Sequence, residues 1–248
     1  MLVLQLREEG GYGGEAAAAS MQGFVDMLQC IGEGTEQVYP THGEDSICIP
    51  IEMCCKGGRD ACIGDLIEDV YGKLIGFGPG IADPAACSKC IIERAILTPL
   101  NVYVDVVNKM VGERVPLLDP VTRLCGEKVT YPSVDSVVEG EQARTYPLTF
   151  LNSLSNSGVP PHELPLQVGC PIILLRNMAG GLANGTRMIV TKLLPHVIEA
   201  EVATGPKAGE HVCIPCLTIT PSDVENMPFT LRRRQFPIRA AFSICHDR

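Results

Sequence analysis

Four arginines near the C-terminus are the side chains of this sequence best suited to bind a polyanion: Arg232, Arg233, Arg234 and Arg239. Guanidinium groups pair with phosphates, and several close together give sequence-independent attraction to a nucleic-acid backbone. Residues 151–248 contain 9 Lys and Arg against 7 Asp and Glu, whereas residues 1–150 contain 11 against 22. The alternative is an ordinary solvated charged face, and the net charge of −9 argues against autonomous nucleic-acid binding.

Twelve cysteines include two pairs with the Cys-x-x-Cys spacing of zinc knuckles, Cys87 with Cys90 and Cys213 with Cys216. Zinc ribbons separate such pairs by roughly 15–20 residues, and these pairs lie more than a hundred residues apart. The second pair also lies in a strand-like run. We therefore expect no metal site, and we expect reduced thiols of an intracellular protein that is not secreted.

Motifs of complete catalytic sites are absent from the sequence. It contains no GxxxxGK[ST] phosphate loop, no GxSxG and no HExxH. The glycine-rich residues 11–16 resemble a dinucleotide loop only loosely. No apolar run reaches the length of a membrane-spanning helix. The sequence by itself does not predict a self-sufficient enzyme.

The first part of the chain has the pattern of an α/β layer. Helical periodicity predicts a helix capped by Ser20, a second over residues 63–74, and a third from Asn101 with Val102, Val106 and Met110 on one face. The apolar run 95–97 precedes the third helix and predicts a strand buried on both faces. A strand, a short turn and a helix form half of a βαβ unit, which favours a parallel sheet.

After residue 165 the pattern changes to short strands. Strands are predicted over residues 171–175, 187–194, 197–203, 211–214 and 217–220, with turn residues between them, and residues 229–243 form a further strand. Such spacing is typical of a small antiparallel barrel.

A specific family resemblance lies in residues 150–187. Phe150-Leu151-Asn152 is followed by a Gly-x-Pro-Pro-His-x-Leu turn (158–164), a strand ending at Gly169, an LLRN element (174–177) and Asn184-Gly185-Thr186-Arg187. This series resembles the PIF family of DNA helicases, in particular the type encoded by Helitron transposons. Residues 93–101, which precede a helix bearing Asn108, the Tyr-x-Ser-x-Asp segment 131–135 and residues 232–244 resemble further family elements in the same order.

The resemblance implies a partial RecA-like domain of the P-loop NTPase type. Residues 1–165 would form the first part of the second RecA-like helicase domain, with loop insertions at about 32–61 and 76–90. Residues 166–225 would form a small Src-homology-like β-barrel inserted into it. Residues 226–248 would return as a truncated strand of the RecA-like domain.

The resemblance also implies site residues. Arg7 would reach the nucleotide phosphates, unless it is a surface arginine. The DNA-binding residues would be Thr98, Asn101, Arg176, Asn177, Asn184, Arg187, Arg232, Arg233 and Arg234. Asn101 has an alternative as a helix cap, and Asn184-Gly185 has an alternative as a hairpin turn.

The function implied is that of the C-terminal part of an ATP-dependent 5′–3′ DNA helicase. The family uses ATP and Mg²⁺, binds single-stranded DNA and has nuclear roles in repair, recombination, telomere maintenance or transposition. A first RecA-like half, with its phosphate loop and acidic magnesium-binding motif, is expected as a missing partner, and the last helicase motif is absent. We therefore expect no ATPase activity from this chain alone. The alternative is a non-catalytic remnant that binds single-stranded DNA or protein, with no membrane partner.

Overall fold

A computed structural model describes residues 15–35, 46–47, 49, 54–55, 62–75, 90–115, 126–137, 146–154, 158–220 and 229–245. The predicted site residue Arg7, the cysteine Cys87 and most of the two predicted loop insertions lie outside these ranges. None of the described helices has the length and apolar character needed to cross a membrane.

The described helices include α1 (Glu15–Glu33), α2 (Ile63–Ile75), α3 (Asn101–Arg114) and α4 (Leu148–Ser153), and residues 90–93 are also helical. Helix α1 begins at Glu15, so Ser20 lies inside it and does not cap it. Helix α2 places its predicted face in the core, where Leu66, Ile67 and Tyr71 are at most 2% exposed. The prediction of α2 is therefore confirmed.

Helix α3 begins where it was predicted but turns a different face to the core. Val104, Val107 and Val111 are buried, whereas Val102 and Val106 are 73% and 43% exposed. The predicted face is therefore wrong, because valines occur on both sides of this helix and periodicity does not distinguish them. Asn108 selects the buried side, since its amide donates to the Ser243 carbonyl oxygen at 3.2 Å and accepts from the Ser243 N–H at 2.8 Å.

Twelve strands are described: β1 (Ile96–Thr98), β2 (Val129–Pro132), β3 (Val134–Val137), β4 (Glu163–Leu166), β5 (Pro171–Leu174), β6 (Arg187–Leu193), β7 (Val197–Val202), β8 (His211–Pro215), β9 (Leu217–Ile219), β10 (Leu231–Gln235), β11 (Ile238–Ala240) and β12 (Ser243–Cys245). The five strands predicted between residues 171 and 220 are β5 to β9. The single strand predicted over residues 229–243 is instead three short strands that join three different sheets.

The sheets are mostly antiparallel. Strands β1 and β12 form a parallel pair, which is the described part of the predicted parallel sheet. The largest sheet has the order β11-β5-β6-β7-β8, a second has the order β3-β10-β9, and β2 pairs with β4. The chain is thus an α/β protein with an extensive antiparallel part. Neither a complete RecA-like sheet nor closure of a barrel is shown by the described strands.

Candidate nucleic-acid interface

The exposed face of the β3-β10-β9 sheet carries two of the predicted arginines. Strand β10 alternates, with Leu231, Arg233 and Gln235 buried and Arg232 and Arg234 exposed, because successive side chains of a strand point to opposite faces. Arg232 pairs in register with the exposed Ser136 of β3, and Arg234 pairs with the exposed Thr218 of β9. Two guanidinium groups beside two hydroxyl groups form a surface suited to phosphate oxygens.

Arg233 lies on the opposite, buried face and is 0% exposed. Its Nε and Nη2 donate to the two carboxylate oxygens of Asp135 at 2.9 and 2.7 Å. The remaining N–H groups donate to the carbonyl oxygens of Leu151, Leu154 and Pro160. All five donors of this guanidinium are therefore used inside the protein. A DNA contact by Arg233 would require it to leave the core, so its place in this structure is that of an anchor for β10.

The long loop between β5 and β6 brings three other predicted residues together. The side-chain oxygen of Asn177 accepts from the backbone N–H of Asn184 at 2.8 Å, and both asparagines are exposed. Asn184 and Gly185 form a turn in which Gly185 has a φ of 87°, so the alternative of a turn is confirmed here. Arg176 donates to the Thr220 carbonyl oxygen at 2.7 Å, one residue beyond β9.

Thr98 and Asn101 lie at the carboxyl end of β1, where α3 begins. Thr98 is 2% exposed, and its hydroxyl donates to the Leu100 carbonyl oxygen at 3.2 Å. Asn101 is the first residue of α3, and Leu100 occupies the cap position without a side-chain hydrogen bond, so Asn101 is not the helix cap. The Asn101 side-chain oxygen instead accepts from Arg239 Nη1 at 3.4 Å. Arg239 is buried, and its Nε lies 3.5 Å from a carboxylate oxygen of Asp105. It therefore does not belong to the surface formed by the exposed arginines.

Arg187 is held by backbone carbonyl groups rather than directed to solvent. Its guanidinium donates to the carbonyl oxygens of Ile91, Ile92, Arg94 and Ala241, all of which precede β1 or β12. Burial lowers the pKa of Arg187, and burial also raises the pKa of the neighbouring Tyr71 phenol, because both charged forms lose hydration. The predicted DNA contact of Arg187 remains a prediction, while the structure gives it a second role as a link between sheets.

Sequence reasoning named the segment 131–135 but gave no role to its buried polar side chains. Ser133, Asp135 and Gln235 are buried, and Gln235 donates to the carbonyl oxygens of Tyr131 and His162 at 2.9 and 3.2 Å. A usable signal was the polar residues at alternate positions, 133 and 135, on one face of a strand-like segment. Among the described residues, no group of three or more His, Cys, Asp or Glu side chains is placed to hold a metal ion.

Comparison with known proteins gives one match to a family model. Residues 149–193 match the 2B domain of the DNA helicase Pif1. No curated protein matches this chain.

Comparison with solved structures gives matches to Pif1 helicases at low identity. Unliganded Pif1 from Bacteroides sp is 20% identical with a TM-score of 0.38, and the match covers 61% of this chain and 41% of that chain. Pif1 from Candida albicans is 19% identical with a TM-score of 0.40, over 74% of this chain and 43% of that chain. Bacteroides Pif1 bound to ssDNA is 17% identical with a TM-score of 0.36, over 75% and 36%. The chain thus spans less than half of the length of these helicases.

The family match and the sequence motifs agree on the same residues. The match spans 149–193, and the motif series spans residues 150–187. This segment is therefore similar to the Pif1 2B domain, and the resemblance to the PIF-family DNA helicases is confirmed over these residues.

Proposed function

We propose that this chain is the C-terminal motor portion of a 5′–3′ DNA helicase of the PIF/Helitron type, acting in the nucleus, and that it contacts single-stranded DNA. The observation that carries the proposal is the exposed pair Arg232 and Arg234 on β10, in a chain whose residues 149–193 match the Pif1 2B domain. Arg176, Asn177 and Asn184 lie near the end of β9 or in the β5–β6 loop and would extend this contact.

The contact would be electrostatic and independent of base sequence. Guanidinium groups on an exposed sheet face reach phosphate oxygens, and binding of this kind releases counterions from the nucleic acid. The affinity would therefore fall steeply as the salt concentration rises. Asp135 holds Arg233 in the core and so fixes which arginines of β10 face outward.

Fluorescence anisotropy with a labelled oligothymidylate over a salt series tests this proposal. Replacing both Arg232 and Arg234 by alanine removes two phosphate contacts, so we expect weaker binding and a salt slope reduced in magnitude by about 1.4, at roughly 0.7 for each contact. The matched control is Arg114→Ala with Lys192→Ala, which removes two exposed charges elsewhere. Equal losses of DNA affinity in the two double variants would contradict a specific DNA-binding surface on β10.

We further propose that the chain does not hydrolyse ATP by itself. The sequence contains no GxxxxGK[ST] loop, and the described residues contain no group of three or more His, Cys, Asp or Glu side chains placed to hold Mg²⁺. An ATPase assay of the purified chain with single-stranded DNA is expected to give no turnover above background. Turnover that saturates with ATP would refute this part of the proposal.

A second candidate function is the docking of a protein partner, the expected first RecA-like half, on α3. The outward side of this helix exposes Val102, Tyr103 and Val106 by 73%, 46% and 43%. Adjacent exposed apolar side chains of this kind favour a protein contact. Replacing Val102 and Val106 by serine should weaken capture of a separately produced PIF-family first RecA-like domain while leaving DNA affinity unchanged.

A further inference from the structure

Four separate sequence motifs meet at one buried carboxylate. Asp135 of β3 has a side chain 0% exposed and is paired with Arg233 of β10 at 2.7 Å. Ser133, from the same Tyr-x-Ser-x-Asp segment, and Asn152 of α4 also contact this carboxylate. His162, from the Gly-x-Pro-Pro-His turn, completes the cluster through Ser133 and Asn152. Neither the proposed DNA contact nor the proposed docking surface uses this cluster.

The hydrogen bonds of Ser133 determine whether Nδ1 of His162 carries a proton. The Ser133 hydroxyl oxygen lies 2.7 Å from Asp135 Oδ1 and 2.8 Å from His162 Nδ1. A carboxylate only accepts, so the single hydroxyl proton is donated to Asp135. The hydroxyl oxygen then presents a lone pair to the ring, and Nδ1 of His162 must donate to it.

The orientation of the Asn152 amide determines whether Nε2 of His162 carries a proton. Its orientation is assigned so that Nδ2 donates to Asp135 Oδ2 at 3.1 Å and to the Leu148 carbonyl oxygen at 3.2 Å. The reverse orientation would place the amide oxygen against both of these oxygens. With this assignment the Asn152 oxygen faces His162 Nε2 at 3.2 Å, so Nε2 also donates. A ring that donates from both nitrogens is an imidazolium.

We propose that His162 is a proton-operated latch between the Pro-Pro-His turn and α4. When the ring loses a proton and keeps Nδ1–H, its Nε2 needs a donor. The Asn152 amide supplies that donor by rotating, and the rotation breaks its hydrogen bonds to Asp135 and Leu148. The protonated ring thus ties α4 to β3, and the neutral ring releases it.

The charged groups around the ring act in opposite directions. Asp135 of β3 favours the imidazolium, while Arg233 of β10 opposes it. Glu163, adjacent in the chain on β4, is exposed, and α4 contributes no charged side chain. The protonated ring donates to both Ser133 and Asn152, whereas the neutral ring that keeps Nδ1–H cannot donate to Asn152.

Nuclear magnetic resonance of the whole chain tests the latch directly. Between about pH 5 and pH 8, where histidine rings titrate, we expect the Asn152 side-chain amide signals to shift together with the His162 ring nitrogens. We expect no such response to the ring of His211, which is exposed on β8. Asn152 signals that stay fixed while His162 titrates would overturn the proposal, as would a neutral ring protonated on Nε2 alone.

Urea denaturation of His162→Gln gives a second, independent readout. Glutamine cannot gain a proton, so the variant lacks one charge-assisted hydrogen bond. At the acid end of this pH range, its equilibrium constant of unfolding should therefore be roughly tenfold larger than that of the natural chain. The difference should shrink as the pH rises. The control His211→Gln should show the pH profile of the natural chain. Parallel profiles for the natural chain and His162→Gln would overturn the latch, and if His162→Gln does not fold, the resonance experiment on the natural chain decides.

Discussion

At the scale of single residues, three consecutive arginines have different environments. Arg232 and Arg234 face solvent, whereas Arg233 gives all five N–H groups to Asp135 and to backbone oxygens. The sequence predicted the same role for all three, because strand alternation alone does not state which parity faces inward. The buried Asp135 decides this, and its pairing with β10 depends on a fold that brings residues about a hundred positions apart into register.

Replacing Arg233 by methionine should lower the free energy of unfolding by about 3–5 kcal/mol, because it leaves the Asp135 carboxylate buried without a cation. Arg232→Met and Arg234→Met, on the exposed face of the same strand, should each change it by less than about 0.5 kcal/mol. Urea denaturation measures all three. Similar values for Arg233→Met and Arg232→Met would show that the Asp135 pair is not formed in solution.

At the scale of elements, periodicity predicted the strands of the antiparallel sheet and the start of α3, but not the buried face of α3. Val102 and Val104 have the same side chain. Which of them is buried depends on the hydrogen bonds of Asn108 to β11 and β12, which are distant in sequence. Residues 229–243 were predicted as one strand because the partner strands that divide this run are also distant in sequence. Two breaks, at residues 236–237 and 241–242, interrupt the run. The three resulting strands pair with β3 and β9, with β5, and with β1.

Two glycines should respond in opposite directions to the same substitution. Gly112 lies inside α3, and a Cβ atom there would meet nothing within 4 Å, so Gly112→Ala should raise the free energy of unfolding by about 0.5–1 kcal/mol. Gly185 has equal space but a φ of 87°, so Gly185→Ala should lower it by about 1 kcal/mol. Thermal unfolding of both variants measures the difference. Shifts of the same sign would contradict one of these two backbone conformations.

At the scale of the whole molecule, Arg187 connects the five-stranded sheet to the parallel pair. It projects from β6 and donates to the carbonyl oxygens of residues 91, 92, 94 and 241, at the amino ends of β1 and β12. Tyr71 of α2 supports the same place, with its hydroxyl donating to the Phe242 carbonyl oxygen at 2.8 Å. The opposite, carboxyl end of β1 carries Thr98 and Asn101. The Arg187 link and two of the other predicted DNA residues, Thr98 and Asn101, therefore lie at opposite ends of one short strand.

This arrangement predicts that replacing Arg187 destabilises the parallel pair of β1 and β12 more than it destabilises the five-stranded sheet. Arg187→Met removes four hydrogen bonds to part-buried carbonyl groups beside β1 and β12, so the free energy of unfolding this part of the structure should fall by at least about 2 kcal/mol. Hydrogen exchange should accelerate at the Ile96 amide, which bonds the Phe242 carbonyl oxygen at 2.9 Å, while the β6–β7 ladder stays protected. Lys192→Met, at an exposed position on the same strand, is the control and should change neither region. Uniform acceleration across both regions in Arg187→Met would mean that the two parts unfold as one cooperative unit and that Arg187 is not a local link between them.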